Sequence, residues 1–440
     1  MKKLLAAAFV AMALIVSSCN RGEKSAKQTV IKVLDYQDAT APNTFDDNKL
    51  IWEKFEQEHP DIKIEREPLF NEAFHQKTAA YAAAGKMPDV FFMWPAGRST
   101  DIHKKKLAKD LTPLLKKENL LDKFIPSCVD PKQQASGYVA EIPFGLTLSH
   151  MLFVNKAVLA ECGLSIPKTY DELKAQVPVL KAKGYETVLM ANMDDWVMQS
   201  CLFSLVAGRL GGVDWADDII AGKAKFTDKN FLDAVKFIKQ LYDDGVISDK
   251  TLATSYGDVV GQFASKKGAY LIDGDWRVGA FLTDMSTGQA LISPEDQKNN
   301  IELMNFPAIP GEKIKNSNSA VLGTGYGMSS KLKEGSKEEA AAWELLKWLS
   351  GPYCQQRRLD TGLSFPSIKE GVSYDNLEPL SVKRGEFYNE QGPATPVFDS
   401  VFNDDVASVL NGDLQALGLG KITPEQVCEN LQKAFDASQK

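Results

Sequence analysis

The stretch MPDVFFMWPAGRS, residues 87–99, decides the fold class because it places a continuous apolar run between two turns. A Pro-Asp pair precedes the five apolar residues Val90 to Trp94, and a Pro-Ala-Gly turn follows them. An apolar run of this length between turn residues is typical of a strand that is buried on both faces. Such a strand needs helices on both sides of its sheet, and the neighbouring sequence supplies them.

The residues before this run alternate between strand and helix patterns. β-branched residues predict a strand over 29–34, and apolar residues at helical spacing predict a helix over 50–58. A second strand follows at 62–64, and an Ala-rich helix over 72–84 ends at Gly85. This order predicts an α/β unit with a mainly parallel sheet flanked by helices.

The same pattern restarts later in the chain, so we predict a second α/β unit. Segments 141–148 and 319–329 are extended and interrupted by proline or glycine, which is typical of crossings between units. A chain of 440 residues is also too long for one compact core. We predict further helices over 170–183, 197–208, 230–243, 337–349 and 424–435, and strands over 187–191 and 269–272.

Residues 1–18 predict a cleaved export signal, with basic Lys2 and Lys3 before a short apolar core. The sequence VSSC resembles a bacterial lipobox, so Cys19 is expected to become an acylated first residue. An ordinary secretory signal is the alternative, but the apolar core does not end in an Ala-x-Ala site. We therefore expect residues 19–27 to tether an exported protein to the periplasmic or extracellular side of a membrane. The apolar core is shorter than the roughly 20 residues of a spanning helix, and no transmembrane helix is expected after cleavage.

Charge and motif content argue against several classes of function. The 51 basic and 58 acidic residues give a net charge of −7, which becomes −9 when Lys2 and Lys3 leave with the signal. An acidic surface argues against nucleic acid as a partner. The chain contains no G-x-S-x-G, H-E-x-x-H or P-loop sequence, so we expect neither an enzyme nor a cofactor or metal site.

The cysteines after Cys19 are widely spaced and form no C-x-x-C pair. We interpret them as buried thiols with at most one or two disulfides, and the sequence leaves the pairing open. They are Cys128, Cys162, Cys201, Cys354 and Cys428.

Candidate ligand contacts follow strands and turns, because ligands of open α/β sheets bind outside the carboxyl ends of the strands. Indole rings can stack on the apolar faces of a sugar, and charged or amide groups can bond its hydroxyls. The structural alternatives are a packed tryptophan, or an aspartate that caps a helix or a turn. Trp343 and Trp348 lie among leucines on a predicted helix and are assigned to the core. The candidate ligand contacts are Asp38, Trp94, Arg98, Asn192, Asp194, Trp196, Asp275, Trp276 and Phe365.

The order and spacing of several local patterns resemble the family 1 extracellular solute-binding proteins of ABC importers, the group that includes sugar-binding proteins. Each pattern is weak alone, but their order and spacing together are strong, and the resemblance extends over nearly the whole chain after the signal. They are IWEKFEQEHPDIKI, AAGKMPDVFFMW, AKDLTPLL, EIPFGLTLSHMLFVNKAVLAECGL, IPKTYDELKAQ, KKGAYLIDGDW, AAAWELLKWLSGPYCQQ and ITPEQVCENLQKAFD.

This resemblance implies two α/β lobes, discontinuous in sequence, that close on a ligand by a hinge motion. It also implies that the aromatic residue of GDW, Trp276, stacks on that ligand. The implied N-terminal lobe comprises residues 28–141 plus 328–370, and the C-terminal lobe comprises 146–322 plus 371–440. The implied hinge crossings are 142–145 and 323–327.

The function implied is capture of a small solute, expected to be a mono- or oligosaccharide, by a monomer that delivers it to membrane permease subunits. Polyols, sugar acids and polyamines are alternatives for the ligand, although the tryptophans favour a neutral carbohydrate. A ligand-sensing receptor or surface interaction lipoprotein on the same fold is the alternative function. A glycan-processing enzyme is less consistent with the sequence, because its many carboxylates make chance pairs unavoidable.

Overall fold

The computed structural model of the chain describes residues 28–38, 44 and 46–439. The predicted signal (1–18), the predicted acylation site Cys19 and the predicted tether (19–27) lie outside the described residues. None of the helices in the described part is long and apolar enough to span a bilayer.

Strands from distant parts of the sequence build three sheets in the described part of the chain. The strands are β1 Thr29–Tyr36, β2 Ile62–Leu69, β3 Val90–Met93, β4 Glu141–Pro143, β5 Thr147–Leu148, β6 Met151–Asn155, β7 Glu186–Leu189, β8 Gly268–Asp273, β9 Ile301–Met304, β10 Asn318–Val321, β11 Gly325–Met328 and β12 Ala394–Pro396.

Helices cover these sheets and connect their strands. Two short π-helical segments, Asn48–Glu53 and Gln199–Phe203, continue directly into α-helices. The α-helices are α1 Lys54–Glu58, α2 Asn71–Ala83, α3 Thr100–Lys104, α4 Thr112–Lys117, α5 Lys156–Glu161, α6 Tyr170–Ala182, α7 Trp196–Met198, α8 Ser204–Gly211, α9 Trp215–Ile220, α10 Lys229–Asp243, α11 Asp258–Ala264, α12 Pro294–Asn299, α13 Lys337–Leu349, α14 Pro352–Asp360, α15 Pro379–Asn389, α16 Phe398–Val401, α17 Asp404–Gly418 and α18 Pro424–Ser438.

The sheets are mixed, and the prediction of mainly parallel sheets is wrong in this detail. The first sheet has the order β2-β1-β3-β11-β4, in which β1 is parallel to β2 and β3 but β11 is antiparallel to β3 and β4. A second sheet has the order β7-β8-β6-β9, and a small third sheet has the order β12-β10-β5. All five residues of β6 are buried although β6 is antiparallel to both neighbours. An apolar run therefore indicates that a strand is buried on both faces, but not whether it is parallel or antiparallel to its neighbours.

Two hydrophobic cores divide the molecule into two lobes. The first lobe packs around the first sheet, with core residues between Ile31 and Ile142 and again between Tyr326 and Ile368. The second lobe packs around the other sheets, with core residues from Leu148 to Ala320 and from Leu380 to Leu431. The five described cysteines are free thiols, and four of them are buried while Cys162 is half-buried.

The chain passes between the sheets at short extended segments. It leaves β4 of the first sheet and enters β5 of the third across residues 144–146, and it returns from β10 to β11 across 322–324. Pairing of β5 with β10 brings the two passages side by side. This places both passages where a hinge could act, and the predicted hinge bounds of 142–145 and 323–327 stay predictions.

Candidate ligand-binding site

A cavity of about 400 Å³ lies between the lobes and is lined by residues of both. This volume falls in the range of small-molecule sites, which are concave and largely apolar with a few polar groups. Most of the aromatic side chains in its wall belong to two groups on opposite lobes. We call them the first platform (Tyr36, Phe92 and Trp94) and the second platform (Trp196, Tyr256 and Trp276).

The first platform is formed where two neighbouring strands end. Tyr36 closes β1, Phe92 lies in β3, and Trp94 follows β3 directly. The Tyr36 ring stacks on Phe92 with centroids 5.4 Å apart and meets Trp94 edge-on at 5.4 Å. Offset and edge-to-face contacts at this distance stabilise ring pairs beyond simple burial. The parallel register of β1 and β3 therefore places three rings on one surface.

His75 of α2 lies against this platform, with its ring centroid 5.2 Å from that of Trp94. Burial, followed by the positive charge of Arg98, lowers the pKa of His75 to about 2. The imidazole is therefore neutral at physiological pH and can donate or accept a hydrogen bond.

The second platform is tied together by polar contacts. The Trp276 indole N–H donates to the Tyr256 hydroxyl at 2.7 Å, and the Arg277 guanidinium lies 3.6 Å from the Tyr256 ring centroid. Arg277 donates in turn to Asp273 at 2.7 Å. A Cβ on Gly274 would lie 2.2 Å from the Trp276 ring, so glycine lets the indole fold back over the turn.

Most charged groups in the cavity wall are paired with a group of opposite charge. Asp35 pairs with Arg66 at 2.7 Å and accepts from the Tyr326 hydroxyl at 2.6 Å. Arg98 of the first lobe pairs with Asp399 of the second at 3.1 Å. Asp47 pairs with Arg357, although burial raises the pKa of Asp47 and this partner offsets the effect only in part. Arg277 forms another such ion pair with Asp273. The wall thus offers polar atoms with little net charge.

Five of the nine predicted ligand contacts lie in the cavity wall. Each follows a strand or a turn, so the strand-end argument located them. They are Asp38, Trp94, Arg98, Trp196 and Trp276.

Asn192 and Asp194 lie outside the cavity wall. Asn192 is 1% exposed and donates to the Thr251 hydroxyl at 3.1 Å. Asp194 accepts from the backbone N–H of Tyr256 at 2.7 Å and so holds the loop that carries the second platform. Both side chains position the wall, and neither faces the cavity.

Asp275 and Phe365 also lie outside the wall. Asp275 is fully buried and accepts from Arg384 at 2.7 Å and from the Tyr388 hydroxyl at 2.5 Å. Phe365 stacks on Tyr388 with centroids 4.7 Å apart. Asp275 and Trp276 begin a 3-10 helix in which Asp275 is buried and Trp276 lines the cavity, a difference that the sequence pattern alone did not reveal.

Several wall residues were not among the sequence candidates. Tyr36 ends a strand, so the strand-end argument could have found it. Tyr256 lies in a turn before α11 and Asp399 lies in α16, and neither position follows a predicted strand. In the described part of the chain, no group of three or more His, Cys, Asp and Glu could hold a metal ion.

A lined cavity between two α/β lobes defines a two-lobed binding protein, which confirms the predicted fold class. Residues 45–353 match the family described as Bacterial extracellular solute-binding protein, and the chain belongs to this family. The Multiple sugar-binding protein of Streptococcus mutans serotype c (strain ATCC 700610 / UA159) is 23% identical over 376 residues, which are 83% of this chain and 82% of that protein.

Solved structures resemble the whole described body. A chitin oligosaccharide binding protein is 25% identical, with a TM-score of 0.79 over 93% of this chain and 99% of that chain. A protein from work on xylan utilization by the thermophilic bacterium Caldanaerobius polysaccharolyticus is 22% identical, with a TM-score of 0.81 over 92% of this chain and 99% of that chain. The predicted membership of the extracellular solute-binding proteins is thus confirmed.

Proposed function

We propose that this solute-binding protein captures a neutral mono- or oligosaccharide for an ABC importer. The observation that carries the proposal is the pair of aromatic platforms on opposite lobes, facing one cavity in which most charged groups have a partner of opposite charge. The printed names of its relatives, a multiple sugar-binding protein and a chitin oligosaccharide binding protein, support the same class of ligand.

Stacking on the platforms supplies most of the proposed affinity. A pyranose ring presents an apolar C–H face that fits against an indole, and its hydroxyls need donors and acceptors at the rim. Trp94 and Trp276 belong to different lobes, so a ring held between them has both of its faces covered. Asp38 and Arg98 line the same cavity and are the proposed hydroxyl partners.

Charge pairing supports a neutral ligand over a sugar acid or a polyamine. A charged ligand entering the cavity would have to compete for a group that already has a buried partner, such as Asp35 or Arg277. Breaking such a pair leaves the other charge uncompensated in a region of low dielectric, which is strongly unfavourable. A hydroxyl can instead bond to an ion pair without separating it.

We further propose that the lobes are 28–141 plus 328–370 and 146–322 plus 371–440, and that they close about hinges at 142–145 and 323–327. The protein acts as a monomer, anchored through acylated Cys19 on the outer side of a membrane, where it delivers its ligand to permease subunits. Hinge closure fits the position of the cavity, because each lobe contributes one platform.

A thermal-shift screen of the chain beginning after Cys19 tests the ligand class. A neutral oligosaccharide at 100 times its Kd should add about 2.7 kcal/mol of stability. The corresponding uronic acids and polyamines should give no shift at the same concentration. A uronic acid that binds as tightly as its neutral counterpart would contradict the charge argument.

Trp276→Ala tests the stacking role, and Trp348→Ala is its matched control. We expect Trp276→Ala to weaken binding roughly 10- to 100-fold in calorimetry, because a ring contact and its burial are lost together. Trp348 stacks on Tyr353 at 5.0 Å outside the cavity, so its removal should lower stability without changing Kd. Equal losses of affinity in both variants would mean that the Trp276 effect is only structural.

A further inference from the structure

At the cavity wall, the two lobes also make a polar contact in which no aromatic ring takes part. The turn Gly97–Ser99 of the first lobe packs on α16 of the second. Arg98 Nε lies 3.1 Å from Asp399 Oδ2, and both side chains are about 15% exposed (14% and 15%). The attraction within an ion pair this shielded is screened less by solvent than the attraction within an exposed pair.

Gly97 allows this approach. Its φ is +39°, and a Cβ at this position would lie 2.0 Å from the Asp399 carbonyl oxygen and 2.6 Å from the Ser400 carbonyl carbon. Both neighbours are backbone atoms, so no change of rotamer could make room. The backbones of the two lobes therefore touch directly beside the ion pair, and only glycine fits between them.

We propose that the Arg98–Asp399 pair and the Gly97 contact form a latch that favours the closed arrangement of the lobes independently of the ligand. The inference rests on the proposed closure about the cavity and adds a way in which that closure is regulated. The Arg98–Asp399 ion pair can form only when the two lobes are as close together as in this structure. Its free energy therefore goes into the equilibrium between open and closed forms.

A latch of this kind sets affinity without selecting the ligand. The apparent Kd equals the intrinsic Kd divided by the fraction of molecules that are competent to hold ligand. Loss of the latch lowers that fraction and should raise Kd by about fivefold for every ligand alike. The increase should appear in the dissociation rate, because a weakened latch releases the closed complex sooner.

Asp404 lies beside the latch but does not form part of it. Its Oδ1 is 3.9 Å from Arg98 Nη1, and its side chain is 43% exposed. Burial raises the pKa of Asp404 to about 6, and Arg98 offsets this only in part, while Asp399, Glu72 and Asp405 oppose ionisation. Its charge is thus poorly supported in the closed arrangement, which makes Asp404→Asn a matched control for Asp399→Asn.

Small-angle X-ray scattering of the ligand-free chain tests the latch. We expect Gly97→Ala and Asp399→Asn to give a larger radius of gyration than the wild type, and Asp404→Asn to give no increase. Ligand-free scattering that is identical in all four proteins would overturn the inference. This test needs no ligand, so it can succeed or fail apart from the proposed sugar binding.

Kinetics with a bound sugar separate a latch from a ligand contact. A latch predicts the same factor of increase in dissociation rate for every ligand in Asp399→Asn, and little added effect of that change in the Gly97→Ala chain. A factor that varies with the hydroxyl pattern of the ligand, with unchanged ligand-free scattering, would make Asp399 a ligand contact and contradict the latch. If Gly97→Ala fails to fold by circular dichroism, Asp399→Asn and its control still decide the question.

Discussion

The two aromatic platforms face the same cavity but are held in place by different forces. Tyr36 of the first platform contacts the rings of Phe70, Phe74, Phe92 and Trp94, so this platform is fixed by ring packing. The second platform depends on a chain of polar contacts. It runs from the Trp276 N–H through Tyr256 and Arg277 to Asp273.

The difference shows where each platform is vulnerable. Ring packing spreads its energy over many contacts, and one altered polar atom changes little. A polar chain concentrates its energy in a few desolvated bonds, and removing one partner leaves the next group unsatisfied. Two buried carboxyl groups in strands also differ in whether they have hydrogen-bond partners. Asp273 of β8 has partners, whereas neither oxygen of Glu141 in β4 has a hydrogen-bond partner among the described residues.

Removing the carboxylate at the end of the polar chain should have the largest effect. Asp273 is fully buried, and Asp273→Asn would leave the Arg277 guanidinium without its charge partner. We expect a loss of about 3–5 kcal/mol in the free energy of unfolding, measured by urea denaturation. An unchanged midpoint would show that Arg277 finds another partner and that the chain of contacts is not what holds the second platform.

The same chemical change at Glu141 should act in the opposite direction. Glu141 is fully buried, and burial raises its pKa well above the ordinary value. Between the pKa of the unfolded and the folded state, the folded chain binds the extra proton, so stability falls by about 1.4 kcal/mol for each pH unit as pH rises. Glu141→Gln removes this loss. The variant should match the wild type near pH 4 and exceed it increasingly above pH 5 in denaturation experiments; a parallel pH profile would mean that Glu141 is ionised in the fold.

The smallest effect is expected from one hydroxyl. Tyr256→Phe removes the acceptor of the Trp276 N–H, and we expect sugar binding to weaken by about 1 kcal/mol because an indole donor is left unpaired. The matched change Tyr36→Phe in the first platform should alter Kd less than about twofold. Calorimetry on both variants compares the platforms directly, and equal losses would remove the distinction between them.

The sequence predicted those helices and strands whose residue spacing and end residues are visible in the segment itself. The predicted helix over 337–349 coincides with α13, and Ser336 and Thr423 cap α13 and α18 through their side chains. The mixed direction of the sheets was not predictable in this way. β11 pairs with β3 and β4 from far along the chain, and no feature of the GYGM sequence states its direction.

The same limit applies to the site. Trp94, Trp196 and Trp276 were predicted because each follows a strand or turn, and the structure brings all three to the cavity. Arg98 was predicted as a ligand contact, but its pairing with Asp399 joins residues about 300 apart and has no local signature. Ligand contact by the nine candidates stays a prediction. For Asn192, Asp194, Asp275 and Phe365, the hydrogen bonds and ring contacts described above favour supporting roles.

The position of β11 in the first sheet affects how an exported chain can fold. The edge of β3, with its apolar VFFM sequence, receives β11 only after about 230 further residues have emerged from a translocation channel. Until then that edge offers unpaired backbone groups to any other extended chain, which is the usual starting point for aggregation. We therefore expect secretion of this protein to benefit from a chaperone that shields the strand until its distant partner arrives.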